Sequence, residues 1–134
     1  MTLLLDTHTI LWMTEQVTRL GRAARRRVDA ALAARELAVS TVVFYEVSRA
    51  LQRGRMSGPP TVFDWRIRIL SLGVREIPVS AEIAIRAADL ENLSGDPLDR
   101  IVLATALVED AVLLTADRRI LSWPGNVRRF DAQR

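Results

Sequence analysis

Four acidic residues stand where apolar runs stop or turn inward. Asp6 follows the three leucines of MTLLLDTHTI, Glu46 lies within STVVFYEVSRAL, Asp99 within SGDPLDRIVLATAL, and Asp117 closes VLLTAD. Each has a plain structural reading. Asp6 can cap a following helix, Asp96 before Pro97 has the form of an N-cap with proline at the first helical position, and Asp99 then falls where it favours the helix dipole. Brought to one place, however, carboxylates ~4 Å apart repel by about 4 kcal/mol per pair at an effective dielectric near 20. A cation must then sit among them. With oxygen donors, no cysteine and a single histidine, the ions that suit are Mg²⁺ or Mn²⁺, which serve phosphate chemistry.

The elements that could bring them together alternate along the chain. Leu3–Leu5 reads as a strand, Thr9–Met13 as the start of a helix and Ala23–Glu36 as a second helix. A short strand at Leu37–Val39 leads to a helix from Val42 to Arg53. The loop GRMSGPP divides that helix from another at Val62–Ser71. Then follow a strand at Val74–Val79, helices at Ala81–Leu93 and Pro97–Asp110, a strand at Val112–Thr115, a short helix at Arg118–Ser122 and an edge strand at Val127–Phe130. The alternation predicts a three-layer α/β/α sandwich with a mostly parallel sheet.

On that frame Asp6 and Asp117 fall just past strand ends, where open α/β sheets place ligands. Glu46 shares a helical stripe with Val42, Val43, Val47 and Ala50, so it points inward rather than to solvent. Asp99 precedes Val102, Leu103 and Ala106 at helical spacing and faces the same way. An inward acid needs an arginine partner or a site to serve. His8, the one histidine, stands two residues after Asp6 as a neighbour of the site, against a plain surface role. Arg49, Arg53, Arg55 and Arg100 are candidates for phosphate contacts, against solvated side chains. Arg25, Arg26 and Arg27 read as an exposed helix face.

Composition narrows the chemistry further. The 134 residues make one domain, 1–134, large enough to fold without a metal or disulfide staple. The absence of cysteine removes thiol nucleophiles and zinc–thiolate sites and fits a reducing cytoplasm. All 19 basic residues are arginine, against 16 acidic ones, for a net charge of +3. Without lysine there is no P-loop lysine and no Schiff base. A phosphatase of the haloacid-dehalogenase type wants a second acid two residues after the first and a later lysine, and a receiver domain also wants a lysine; both lose ground. No run approaches a membrane span, and the N-terminus lacks the layout of a signal peptide, so a soluble cytoplasmic protein is expected.

The blocks LLLDTHTILW, STVVFYEVSRAL, DPLDRIVLATAL and VLLTAD, in this order and spacing, resemble those of the PIN-domain ribonucleases. Within that family they are similar to the VapC-like toxins of type II toxin–antitoxin pairs, in the subgroup with DTH and DPxDR forms. The resemblance implies a five-stranded parallel sheet, Mg²⁺-dependent endonuclease action on RNA, a homodimer and a neutralising antitoxin. It implies a catalytic and metal-binding set of Asp6, Glu46, Asp99 and Asp117, with Thr115 as polar neighbour and Asp96 as a second acid in DPLDR. It also implies that an antitoxin segment crosses the region of Leu11, Trp12, Phe44 and Trp65, residues that could equally fill the core. A PIN-like fold kept as a non-catalytic binding module is the alternative that the full set of acids opposes.

Overall fold

The computed structural model describes residues 1–54 and 61–134. The GRMSGPP loop beyond Gly54, and Arg55 with it, lies outside the described residues. Five strands, β1 (Leu3–Leu5), β2 (Leu37–Ser40), β3 (Arg75–Ile77), β4 (Val112–Thr115) and β5 (Arg129–Asp131), form one sheet in the order β3-β2-β1-β4-β5. Every neighbouring pair runs parallel. The expected three-layer α/β/α sandwich is therefore the fold, with β1 at its centre.

Strand alternation explains the layers. Leu3 and Leu5 point into one core with Ile10, Leu11 and Trp12 of α1 (Thr7–Glu15), with α2 (Arg22–Ala33), and with Val43 and Val47 of α3 (Val42–Gln52) and Trp65 of α4 (Val62–Leu72). Leu4 points the other way, toward α5 (Ala81–Asp89) and α6 (Pro97–Val108), with Ile120 of the short helix α7 (Arg118–Leu121) on the same side. A strand buried on both faces must be apolar throughout, which is why Leu3–Leu5 and Leu37–Val39 carry no polar residue. The Trp65 indole N–H donates to Thr14 Oγ1 at 3.0 Å, so a fully buried aromatic keeps its one polar atom paired.

Several boundaries differ from expectation for local reasons. The strand expected over Val74–Val79 pairs only at Arg75–Ile77: the Val74 N–H turns back to Ile69 O, and Pro78 has no N–H to give. The helix expected to reach Leu93 ends at Asp89, where Leu90 becomes extended. Arg35, with φ 58°, stops α2 before Glu36. The last strand is shifted to Arg129–Asp131, because its register pairs Arg129 with Leu113. A 3₁₀ turn at Val17–Arg19 joins α1 to α2.

Leu11, Trp12 and Trp65 are buried, and Phe44 packs half-buried on the Trp65 ring at 5.8 Å. These four belong to the core, the second of the two readings open to them. Among the described residues, the exposed apolar side chains of α3 and α4 are Tyr45 on α3 and Phe63, Ile67 and Leu72 on α4.

Candidate active site

The chain leaves β1 for β2 on one side and returns to β4 on the other. A crevice therefore opens beside β1 at the carboxyl edge of the sheet. Asp6 stands there as the N-cap of α1, its Oδ1 accepting the Thr9 N–H at 3.0 Å. Capping uses one oxygen, and the carboxylate still lines the crevice. Its Oδ2 accepts the Thr115 hydroxyl at 2.5 Å, and Thr115 Oγ1 itself accepts the Asp117 N–H at 3.0 Å. Thr115 is thus a buried link between the ends of β1 and β4.

Glu46, on the second turn of α3, accepts the hydroxyl of buried Thr7 at 2.7 Å. Among the described residues no arginine pairs with it. Asp99, in the first turn of α6, and Asp117, the N-cap of α7, complete the set. All four carboxylates line one cavity of about 560 Å³, with Thr7, His8, Trp12, Asp96 and Arg119 also on its wall. Asp96 is the N-cap of α6, accepting the Leu98 N–H at 2.8 Å, and it is exposed at the rim. His8 is exposed at the same rim, its ring 6.4 Å from that of Trp12.

The residue that sequence reasoning missed is Arg119. Its guanidinium donates to Asp99 Oδ2 at 2.8 Å and to Asp117 Oδ2 at 2.9 Å, and reaches Ser94 O at 3.3 Å. A basic residue two positions past Asp117, on the first turn of a helix, was the available signal. Arg100, a candidate for phosphate contact, instead gives its fork to the carbonyls of Ala87, Ala88, Leu90 and Leu93 and closes the end of α5. Arg49 and Arg53 line a neighbouring cavity of about 950 Å³ with Tyr45; it meets the first at Thr7, His8, Glu46 and Asp96.

Electrostatics sets Asp117 apart from the other three acids. Burial pushes the Asp6 carboxyl above its ordinary value, against the bonds from Thr115 and Thr9. Burial, followed by repulsion from Asp99, Asp96 and Asp6, pushes Glu46 to about 7 against its bond from Thr7. Asp99 is raised by burial and by Asp117, with Arg119 opposing. For Asp117 burial also favours the neutral form, but bonds from the Arg119 side chain and backbone outweigh it and hold its carboxyl below the ordinary value.

A family model described as PIN domain matches residues 3–124. The chain belongs to the PIN-domain family. This PIN domain is 32% identical over 122 residues to ribonuclease VapC22 of Mycobacterium tuberculosis (strain ATCC 25618 / H37Rv), covering 90% of this chain and 91% of that protein. Its fold is shared by the VapBC2 complex of Rickettsia felis bound to a promoter DNA fragment, with TM-score 0.70 at 15% identity over 98% of this chain and 100% of that one. A toxin–antitoxin complex from Klebsiella pneumoniae aligns with TM-score 0.63 at 23% identity, covering 98% of each chain.

The donor chemistry of the PIN domain's cavity fits a hard divalent ion: carboxylate oxygens from four elements, and no sulfur. In the conformation seen, no three of them converge to ion-binding distance among the described residues. Arg119 pairs with Asp99 and Asp117, while threonine hydroxyls hold Asp6 and Glu46.

Proposed function

We propose that this PIN domain is a metal-dependent endoribonuclease, the toxin of a type II toxin–antitoxin pair. The observation that carries this reading is the set of four carboxylates, Asp6, Glu46, Asp99 and Asp117, lining one cavity at the carboxyl edge of the sheet. The likeness to ribonuclease VapC22 over nearly the whole chain supports RNA as the substrate class. Asp6, Glu46, Asp99 and Asp117 would hold Mg²⁺ or Mn²⁺, which supplies an activated water and neutralises charge at a phosphodiester.

The chain's own residues do the positioning. Thr9 and Thr115 fix the Asp6 carboxylate through both of its oxygens, and Thr7 fixes Glu46. With its carboxyl titrating near 7, Glu46 can hold or release a proton at Oε under neutral conditions. The cavity that adjoins the acids offers an exposed aromatic ring, Tyr45, and two arginines, Arg49 and Arg53. That combination suits a single strand, whose bases stack and whose phosphates pair with guanidinium forks. Phe63 and Ile67, exposed apolar side chains of α4, are suited to contact with an antitoxin or a second copy of the chain.

The test is cleavage of single-stranded RNA by the purified protein in Mg²⁺. Loss of cleavage in excess EDTA, with recovery in Mn²⁺, is the expected result. Unchanged cleavage in EDTA would overturn the metal reading.

A further inference from the structure

Four carboxylates in one cavity need a counter-charge, and Arg119 supplies it from within the chain. Its Nη2 lies 2.8 Å from Asp99 Oδ2 and 2.9 Å from Asp117 Oδ2, and its Nε lies 3.3 Å from Asp117 Oδ1. The seat for this side chain is built. Gly95 adopts φ 118°, and a Cβ on it would lie 1.8 Å from Arg119 Nη1. The guanidinium therefore rests over bare backbone, with Nη1 turned toward Ser94 O. It is not sealed in, since its side chain is 48% exposed to solvent.

Asp99 and Asp117, which Arg119 bridges, are two of the four acids that would hold a divalent ion. A guanidinium seated between them competes with a second cation for the same carboxylates. We infer that Arg119 is the resident counterion of the acidic cavity, a positioning residue that holds Asp99 and Asp117 together in the metal-free protein and that a divalent cation must displace. This rests on the metal reading given above and adds a second state to it. The guanidinium relieves repulsion while the cavity is without metal, so folding does not depend on the ion. Metal affinity is lowered by the work of moving Arg119 away.

Binding of Mn²⁺ alone to metal-free protein, followed by the resonance of free Mn²⁺, tests this without reference to activity. Arg119→Gln is expected to bind Mn²⁺ roughly ten-fold tighter than wild type, a size usual for coupling between two ligands of one site. The metal-free variant should also melt lower than wild type and gain more from added Mn²⁺. A merely structural ion pair would lower the melting temperature without tightening metal binding. Arg119→Lys, which keeps the charge but not the fork, should fall between the two and gives the same ordering if Arg119→Gln fails to fold. Equal or weaker Mn²⁺ binding by the variants, with wild-type binding abolished in Asp6→Asn, overturns the role of Arg119 and leaves the metal site standing. No binding by wild type or variants overturns the metal reading and this inference together.

Discussion

The two halves of the acidic cavity are held in different ways. Asp6 and Glu46 accept hydroxyls from Thr115 and Thr7, neutral donors that fix geometry without cancelling charge. Asp99 and Asp117 share a guanidinium that does both. The surroundings of each acid set its proton affinity. Glu46 is driven to about 7 and Asp6 is raised, whereas Asp117 is held below its ordinary value. Asp99, between the two regimes, is raised despite Arg119. Glu46 is thus placed to exchange a proton near neutral pH, whereas Asp99 and Asp117 already share a cation, the Arg119 guanidinium.

The largest effect expected from this contrast is at Asp99. Asp99→Asn should lower RNA cleavage by more than the 10–100-fold typical of a residue that only supports a metal ligand, while leaving the melting temperature similar. An amide oxygen cannot match the ion's charge, yet it still accepts a bond from Arg119. Near-normal rates in this variant would remove Asp99 from the ligand set.

Next comes the hydroxyl half. Thr115→Val should reduce cleavage by about 10–100-fold, since the Asp6 carboxylate loses its fixed partner. It should also cost about 1–3 kcal/mol of stability, because the buried Asp6 oxygen and the Asp117 N–H lose a bond. Chemical denaturation and initial rates together distinguish this from a pure folding defect, which would change only the folded fraction.

A smaller effect follows from pH. Glu46 binds its proton more tightly in the fold, at about 7, than in the unfolded chain, where 4.5 applies. Its contribution to stability is therefore complete below about 4.5 and is lost as pH rises to about 7, where the folded form must also ionise. The melting temperature of metal-free protein should fall between pH 5 and 8, and Glu46→Gln should flatten that decline. A melting temperature that rises across this window would contradict the placement of Glu46 among the other acids.

The smallest effect is at Asp96. Asp96→Ala should cost about 1 kcal/mol through loss of its bond to Leu98 N–H, and Asp96→Asn only a few tenths. Activity lost in Asp96→Asn but kept in Asp99→Asn would exchange the parts assigned to the two acids of DPLDR.

What was legible in the sequence was whatever periodicity and chain order determine. Leu3–Leu5 and Val112–Thr115 announce strands that end in acids, and Asp96-Pro97 announces a helix start. Inward direction at Glu46 and Asp99 follows from the spacing of valines and leucines around them. Pairing across the cavity was not legible. The partner of Thr7 lies in α3, and the bridge from Arg119 to Asp99 depends on the bare backbone of Gly95 in another loop. Helical spacing also cannot say whether an apolar stripe meets the core or a partner. Trp12 and Trp65 were ambiguous on that ground, and the packing of α1 and α4 on the sheet resolved them.

Asp6 is the acid that follows the central strand, and its carboxylate is bonded to Thr9 of α1 and Thr115 of β4, so its loss bears on every other part of the site. Cleavage of single-stranded RNA by wild type and Asp6→Asn should be followed across a Mg²⁺ titration, with thermal unfolding confirming that both are folded. Wild type is expected to cleave in a Mg²⁺-dependent manner, and the variant not above background at any Mg²⁺ concentration. Cleavage by Asp6→Asn at the wild-type rate would contradict this role of Asp6.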